Sequence, residues 1–204
     1  MQSCPLENET QHYRPWRGFG PVTDGESLLF AVFENTRREE KSLTQKSFED
    51  SHLRRIQLSV ARAKYTTRKN FEKNIVTPAL GSKGRLIGIS RTTAGNLRSL
   101  KCYYKLNNGQ TSSFRGLIVV DSVKERDFDS HATIGYCRDD EPPGIGTTQL
   151  GRSRAILRLN IVEAFSQITP IDDIIWPTGN DVLRSRVRYC FNRFFSANSL
   201  STSG

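Results

Sequence analysis

Cysteine is scarce in this chain of 204 residues: Cys4, Cys102, Cys137 and Cys190 lie far apart, without the short spacings of a disulfide scaffold or a zinc site. Free thiols are expected. Histidine is scarcer still, with only His12, His52 and His131. Since His12 falls in an irregular N-terminal arm, the set argues against a multi-histidine metal site or a two-histidine phosphoesterase. No apolar run reaches the roughly eighteen residues of a membrane span, and Met1 to Tyr13 is polar where a secretory signal would be apolar. The cytoplasm is the expected address. No fingerprint of a cofactor or metal is present, so none is expected. Hydrophobic residues make up 36% of the chain, enough for a core that leaves some of the chain outside it.

Acid is what residues 51–105 lack. They hold thirteen Lys or Arg against one carboxylate, Glu72, a local charge of +12 that leaves −3 for the rest of a chain whose total is +9. A stretch of one sign concentrates polyanions, so nucleic acid is the first partner to consider and an anionic membrane surface the second. Folding could equally scatter these side chains over several faces. Asp121 to Glu141 is the reverse, with seven acids against three basic residues, and could face the basic section of its own chain.

Length and pattern predict an irregular arm over 1–22, one α+β domain over 23–197 and a disordered tail over 198–204. N-terminal helices, a small and mostly antiparallel sheet over about 85–137, and C-terminal helices are expected. Thr23 and Glu26 have capping-box spacing before Leu28, Leu29, Val32 and Phe33, which predicts a first helix. Leu53, Ile56, Val60 and Ala63 predict a second over Phe48–Ala63, and Pro78, Gly81 and Gly84 close that section. Arg85–Ser90, Leu100–Leu106, Leu117–Val120 and Ala132–Tyr136 read as strands, with Asn108-Gly109 at a hairpin tip. Arg152–Gln167 is apolar nearly all round a helical wheel and predicts a buried helix. Asn180 would cap a last helix whose stripe, Leu183, Val187, Cys190, Phe191 and Phe194, is read as core.

Four constellations could carry chemistry. Arg62, Lys64, Tyr65, Arg68, Lys69, Phe71 and Lys73 interleave cations with rings, a mixture that holds phosphates and stacks bases, or simply forms a solvated helix face. His131 follows Asp127 and Asp129 and opens a strand, where it is either a general-base candidate or a hydrogen-bonded strand-end residue. Gly144 and Gly146, followed by Arg152 and Arg154 near a helix start, could bind an anion through backbone N–H groups, although the spacing matches no nucleotide fingerprint. Glu39, Glu40 and Lys41, with Asp24 upstream, contain the acid-x-lysine arrangement of metal-dependent nucleases, but on a segment read as an exposed helix.

Glu26 to Phe30, then Leu58, Ser59, Val60, Arg62 and Ala63 with Thr66 and Thr67, and finally Phe114, Arg115 and Gly116 leading to His131, Ala132 and Ile134, resemble a loose family of uncharacterised bacterial proteins. The resemblance implies a bacterial domain and carries no activity, catalytic residue or partner with it. The leading expectation is a basic accessory protein that binds nucleic acid without sequence preference through residues 54–105, aided by Arg184 and Arg188. A protein-interaction module of a toxin, defence or mobile-element system, docking through the acidic zone or the last helix, is the alternative. An enzyme acting on a phosphate-containing substrate through His131 and the Gly144–Arg154 loop comes third. The sequence leaves oligomeric state open.

Overall fold

The computed structural model describes residues 19–34, 43–121, 130–165 and 167–188. Its strands are β1 (Ser27–Phe33), β2 (Leu58–Arg62), β3 (Leu86–Thr93), β4 (Lys101–Lys105), β5 (Thr111–Arg115), β6 (Leu117–Asp121), β7 (His131–Tyr136) and β8 (Ile168–Thr169). Helices α1 (Asp50–Arg54), α2 (Arg68–Phe71), α3 (Thr77–Lys83), α4 (Ala94–Ser99) and α5 (Thr147–Ala164) intervene, and residues 179–188 are also helical. Six strands form one antiparallel sheet in the order β6-β7-β2-β1-β3-β8, while β4 and β5 pair as a separate hairpin. The architecture is α+β, as the patterning predicts.

The predicted first helix is instead the central strand. Between β2 and β3, with both faces covered, β1 is buried at every position from Leu28 to Phe33. A run that is apolar on both faces carries no period to separate helix from strand. Thr23 does bond to Glu26 through its backbone N–H and its hydroxyl, but the turn they close opens a strand. The predicted second helix is likewise cut short. Helix α1 stops at Arg54, and Ile56 takes φ 54°, a left-handed conformation rare for a β-branched residue, so that Gln57 N–H bonds back to the His52 carbonyl. The chain then runs on as β2.

Leu28, Phe30 and Val32 point toward a layer containing α1, α4, the hairpin and α5, where Phe48, Leu53, Leu97, Leu157, Ile161 and Phe165 complete the main core. Leu29, Ala31 and Phe33 face the opposite layer, formed by α2, the π-helical turn Glu72–Val76 and α3, with Phe71, Val76 and Trp176 packed in. The hairpin forms as its alternation predicts, and Gly109 supplies the positive φ, 82°, at its tip.

Two helical expectations change in detail. Helix α5 has a wet side, since Ile156 and Leu159 are about half exposed while Leu157 and Ile161 are buried. In helix 179–188, Leu183 and Val187 are exposed rather than core, and Thr178, not Asn180, caps the start through its hydroxyl and Asp181. Cys190, Phe191 and Phe194 lie outside the described residues, as do Cys4, residues 1–18 of the arm and the tail. Phe19 and Val22 at the arm's end are buried. Cys102 and Cys137 are buried and form no disulfide, and burial pushes the Cys102 thiol up, away from the reactive thiolate. None of the described helices is long and apolar enough to cross a membrane.

Candidate polyanion face and adjoining cavity

Five arginines of residues 51–105 are held in ion pairs. Arg54 pairs with Asp50, Arg62 with Glu26 and Asp121, Arg68 with Glu72 and Asp172, Arg85 with Glu34 and Arg98 with Asp24. Six of the seven acids in these pairs lie outside the segment, so much of its +12 is neutralised by folding. Lys64, Lys69, Lys73 and Lys83 remain exposed along the layer that begins after β2 and ends with α3. The one acid between them, Glu72, is engaged with Arg68 at 2.8 Å.

Arg62 does not belong to that face. Its side chain is 1% exposed on the α5 side of the sheet. There Nε and Nη2 donate to the two Glu26 carboxylate oxygens at 2.6 and 2.8 Å, Nη1 donates to the Gly20 carbonyl at 2.7 Å, and Asp121 lies 3.3 Å away. The rings are also spent internally. Tyr65 stacks on Phe19 with centroids 3.9 Å apart, and Phe71 is buried against Trp176. What the layer offers outward is ammonium groups rather than stacking platforms.

A cavity of about 370 Å³ opens beside this layer. Strands β1, β2 and β7 contribute Ala31, Phe33, Ser59 and His131; the π-helical turn and α3 contribute Asn74, Ile75, Pro78, Ala79, Ser82 and Lys83. His52 and Gln57 close it from α1 and the turn after it. His131 is thus a buried strand-start residue, in register with Ala61, that borders a cavity. His52 lines the same cavity although 79 residues separate it from His131, so no local pattern could have grouped the two.

Of the two arginines near the glycine loop, only one faces outward. Gly144 has φ 83° and Gly146 caps α5, but Arg154 turns inward, pairs with Glu141 and lies 4.5 Å from the Tyr136 ring centroid; Arg152 alone is exposed. Asp24 is held by Arg98, while Glu39, Glu40, Lys41, Asp127 and Asp129 lie outside the described residues.

A polar network joins α1, β7 and α5. The Tyr136 hydroxyl donates to Asp50 at 2.7 Å, and Arg158 donates to both, at 3.0 Å to Asp50 and 3.2 Å to Tyr136. Burial alone would raise the Asp50 carboxyl, but its bonds from Arg54 and Tyr136 and the charges of Arg54 and Arg158 hold it below the ordinary value. Burial, aided by the bond to Asp50 and opposed by Arg158, pushes the Tyr136 phenol up from 10.0 to about 12. A group whose pKa is raised by folding stabilises the fold below its unfolded value and loses that contribution as pH climbs through the folded one. Stability should therefore fall between pH 10 and 12, by roughly 2–3 kcal/mol for a shift of this size. Denaturant unfolding across that window checks this, and Tyr136→Phe should flatten that part of the profile.

No protein-family model matches the chain, and no curated protein or solved structure matches it.

Proposed function

We propose that the protein binds nucleic acid without sequence preference, through phosphate contacts made by Lys64, Lys69 and Lys73. The observation that carries this reading is the row of exposed ammonium groups along 64–83, a stretch whose one carboxylate, Glu72, is engaged by Arg68. Exposed ammonium groups on a short helical layer can track a phosphate backbone, and contacts of that kind position a strand without reading its bases. Because Tyr65 and Phe71 are packed internally, base stacking is not part of the proposal.

Replacing Lys64, Lys69 and Lys73 together with glutamine should weaken binding to every oligonucleotide sequence alike. The salt dependence should become shallower by about 0.7 to 0.9 units of slope for each phosphate that is no longer neutralised. Stability should stay within about 0.5 kcal/mol of the parent, as for other solvated surface substitutions. Fluorescence anisotropy over a salt series measures the binding, and a parent chain without affinity at low salt would overturn the reading.

A second reading, a protein-interaction module, is favoured by one observation. Leu183 and Val187, four residues apart on helix 179–188, are each 59% exposed and lie on one side of it.

A further inference from the structure

We infer that the cavity between the α2–α3 layer and strands β1, β2 and β7 is a binding site for a phosphate-bearing nucleoside. The inference goes beyond the polyanion face, since a mononucleotide needs a bounded pocket and a strand backbone does not. At about 370 Å³ the cavity falls in the size range of small-ligand sites, roughly 300 to 1,000 Å³. Its lining has two chemical characters. Phe33, Ile75 and Pro78 offer apolar surface to a planar ring. Around them the polar groups are all neutral or cationic, among them the imidazoles of His52 and His131, the ammonium of Lys83, the hydroxyls of Ser59 and Ser82 and the amide of Asn74.

Among the described residues no carboxylate lines the cavity. A cationic or metal-bound ligand would want acids there, and a purely apolar one would be poorly matched to so polar a wall. An anion matches it, because ammonium and hydroxyl groups donate to phosphate oxygens and bonds to a charged acceptor are the stronger kind. The local backbone also marks the wall. Asn74 and Ile75 sit in the π-helical turn that precedes Pro78, a widening of the helix often found at functional sites. Lys83 is at the end of α3 and exposed, so it can meet a phosphate at the mouth while the ring lies deeper.

Isothermal titration of the whole chain with adenosine 5′-monophosphate tests this, with adenosine alone and inorganic phosphate as comparisons. The mononucleotide should bind at least tenfold more tightly than adenosine. Lys83→Gln and His52→Gln, both at positions reached by solvent, should each weaken it by roughly tenfold, the loss expected for one charge-assisted bond. Ala79→Phe, which fills the cavity, should abolish binding in a chain that still unfolds cooperatively. Lys105→Gln, an equal loss of charge on the distant β4–β5 hairpin, should bind as the parent does. Competition by a 5′-phosphorylated oligonucleotide, but not by its 5′-hydroxyl counterpart, would assign the site to strand ends; competition by the free mononucleotide alone would assign it to a small molecule. Absence of mononucleotide binding at millimolar concentration, equal binding of adenosine, or parental affinity in both Lys83→Gln and Ala79→Phe would overturn the inference. A chain that binds the mononucleotide but no oligonucleotide would keep the cavity and lose the polyanion face.

Discussion

Arg62→Met is expected to destabilise the protein by about 3–5 kcal/mol, the usual cost of removing one partner from a buried ionic cluster. The guanidinium sits at the last residue of β2, opposite Leu28, on the side of the sheet that faces α5. Five N–H donors in a rigid fork suit its surroundings, two of them on Glu26 and another on the Gly20 carbonyl, with Asp121 at 3.3 Å. Methionine has similar length but no donor. It would leave the carboxylates of Glu26 and Asp121 near each other, one almost buried and the other wholly so, without the charge between them. Lysine should recover only part of the loss, because an ammonium cannot bridge both Glu26 oxygens and Gly20 in one plane. Urea denaturation of Arg62→Met, Glu26→Gln and the double variant measures the coupling. The double should lose less than the two singles together, and a folded Arg62→Met with unchanged stability would show that the cluster contributes nothing.

The same residue shows where reading the sequence succeeds and where it stops. Strand β4 and its hairpin were legible because Cys102 and Tyr104 alternate with Lys101, Tyr103 and Lys105, and Asn108-Gly109 fits one kind of turn. Strand β1 was not, because central strands buried on both faces lose the alternation that identifies them. The end of α1 was hidden for a different reason. Its left-handed residue is Ile56, where a glycine would have announced the stop. The would-be Cβ of Gly135 would come within 2.6 Å of the Ile56 side chain, so the glycine that signals this junction lies in β7, far along the chain. Charge was legible as a sum and not as a surface. Arg62 and Lys64 look alike in the sequence, yet the first is neutralised by acids 36 and 59 residues away and the second stands exposed. The candidate cavity depends on strand pairing and on a helical layer folded over it, so neither His52 nor Lys83 can be assigned to it from local pattern, whereas His131 stands out in the sequence by opening a strand after two aspartates.

Phe165→Ala should be as costly as the Arg62 change, at about 3–5 kcal/mol, for an apolar reason. Phe165 ends α5 and is fully buried, with its ring centroid 5.6 Å from Phe30 and 5.5 Å from Phe48, which are themselves 5.0 Å apart. These three rings join the central strand, the segment before α1 and the longest helix of the described residues. Truncation removes the transfer energy of a large side chain and opens a cavity lined by two rings that cannot close over it, and each aromatic pairing adds roughly 0.5–1.5 kcal/mol beyond area alone. The backbone there is also fixed, because the Ser90 hydroxyl of β3 donates to the Phe165 carbonyl, which limits how far α5 can settle inward. Phe165→Leu should therefore lose less than alanine while leaving the fold intact. Adding Phe48→Ala to Phe165→Ala should cost less than the sum of the two single losses, since both empty the same space and the second deletion removes packing already weakened by the first. Equilibrium unfolding in urea reads these differences as shifts in midpoint at constant slope. A midpoint for Phe165→Ala close to that of the parent would mean that α5 is not fastened to the sheet through this cluster, and that its buried face, Leu157 and Ile161, carries the packing alone.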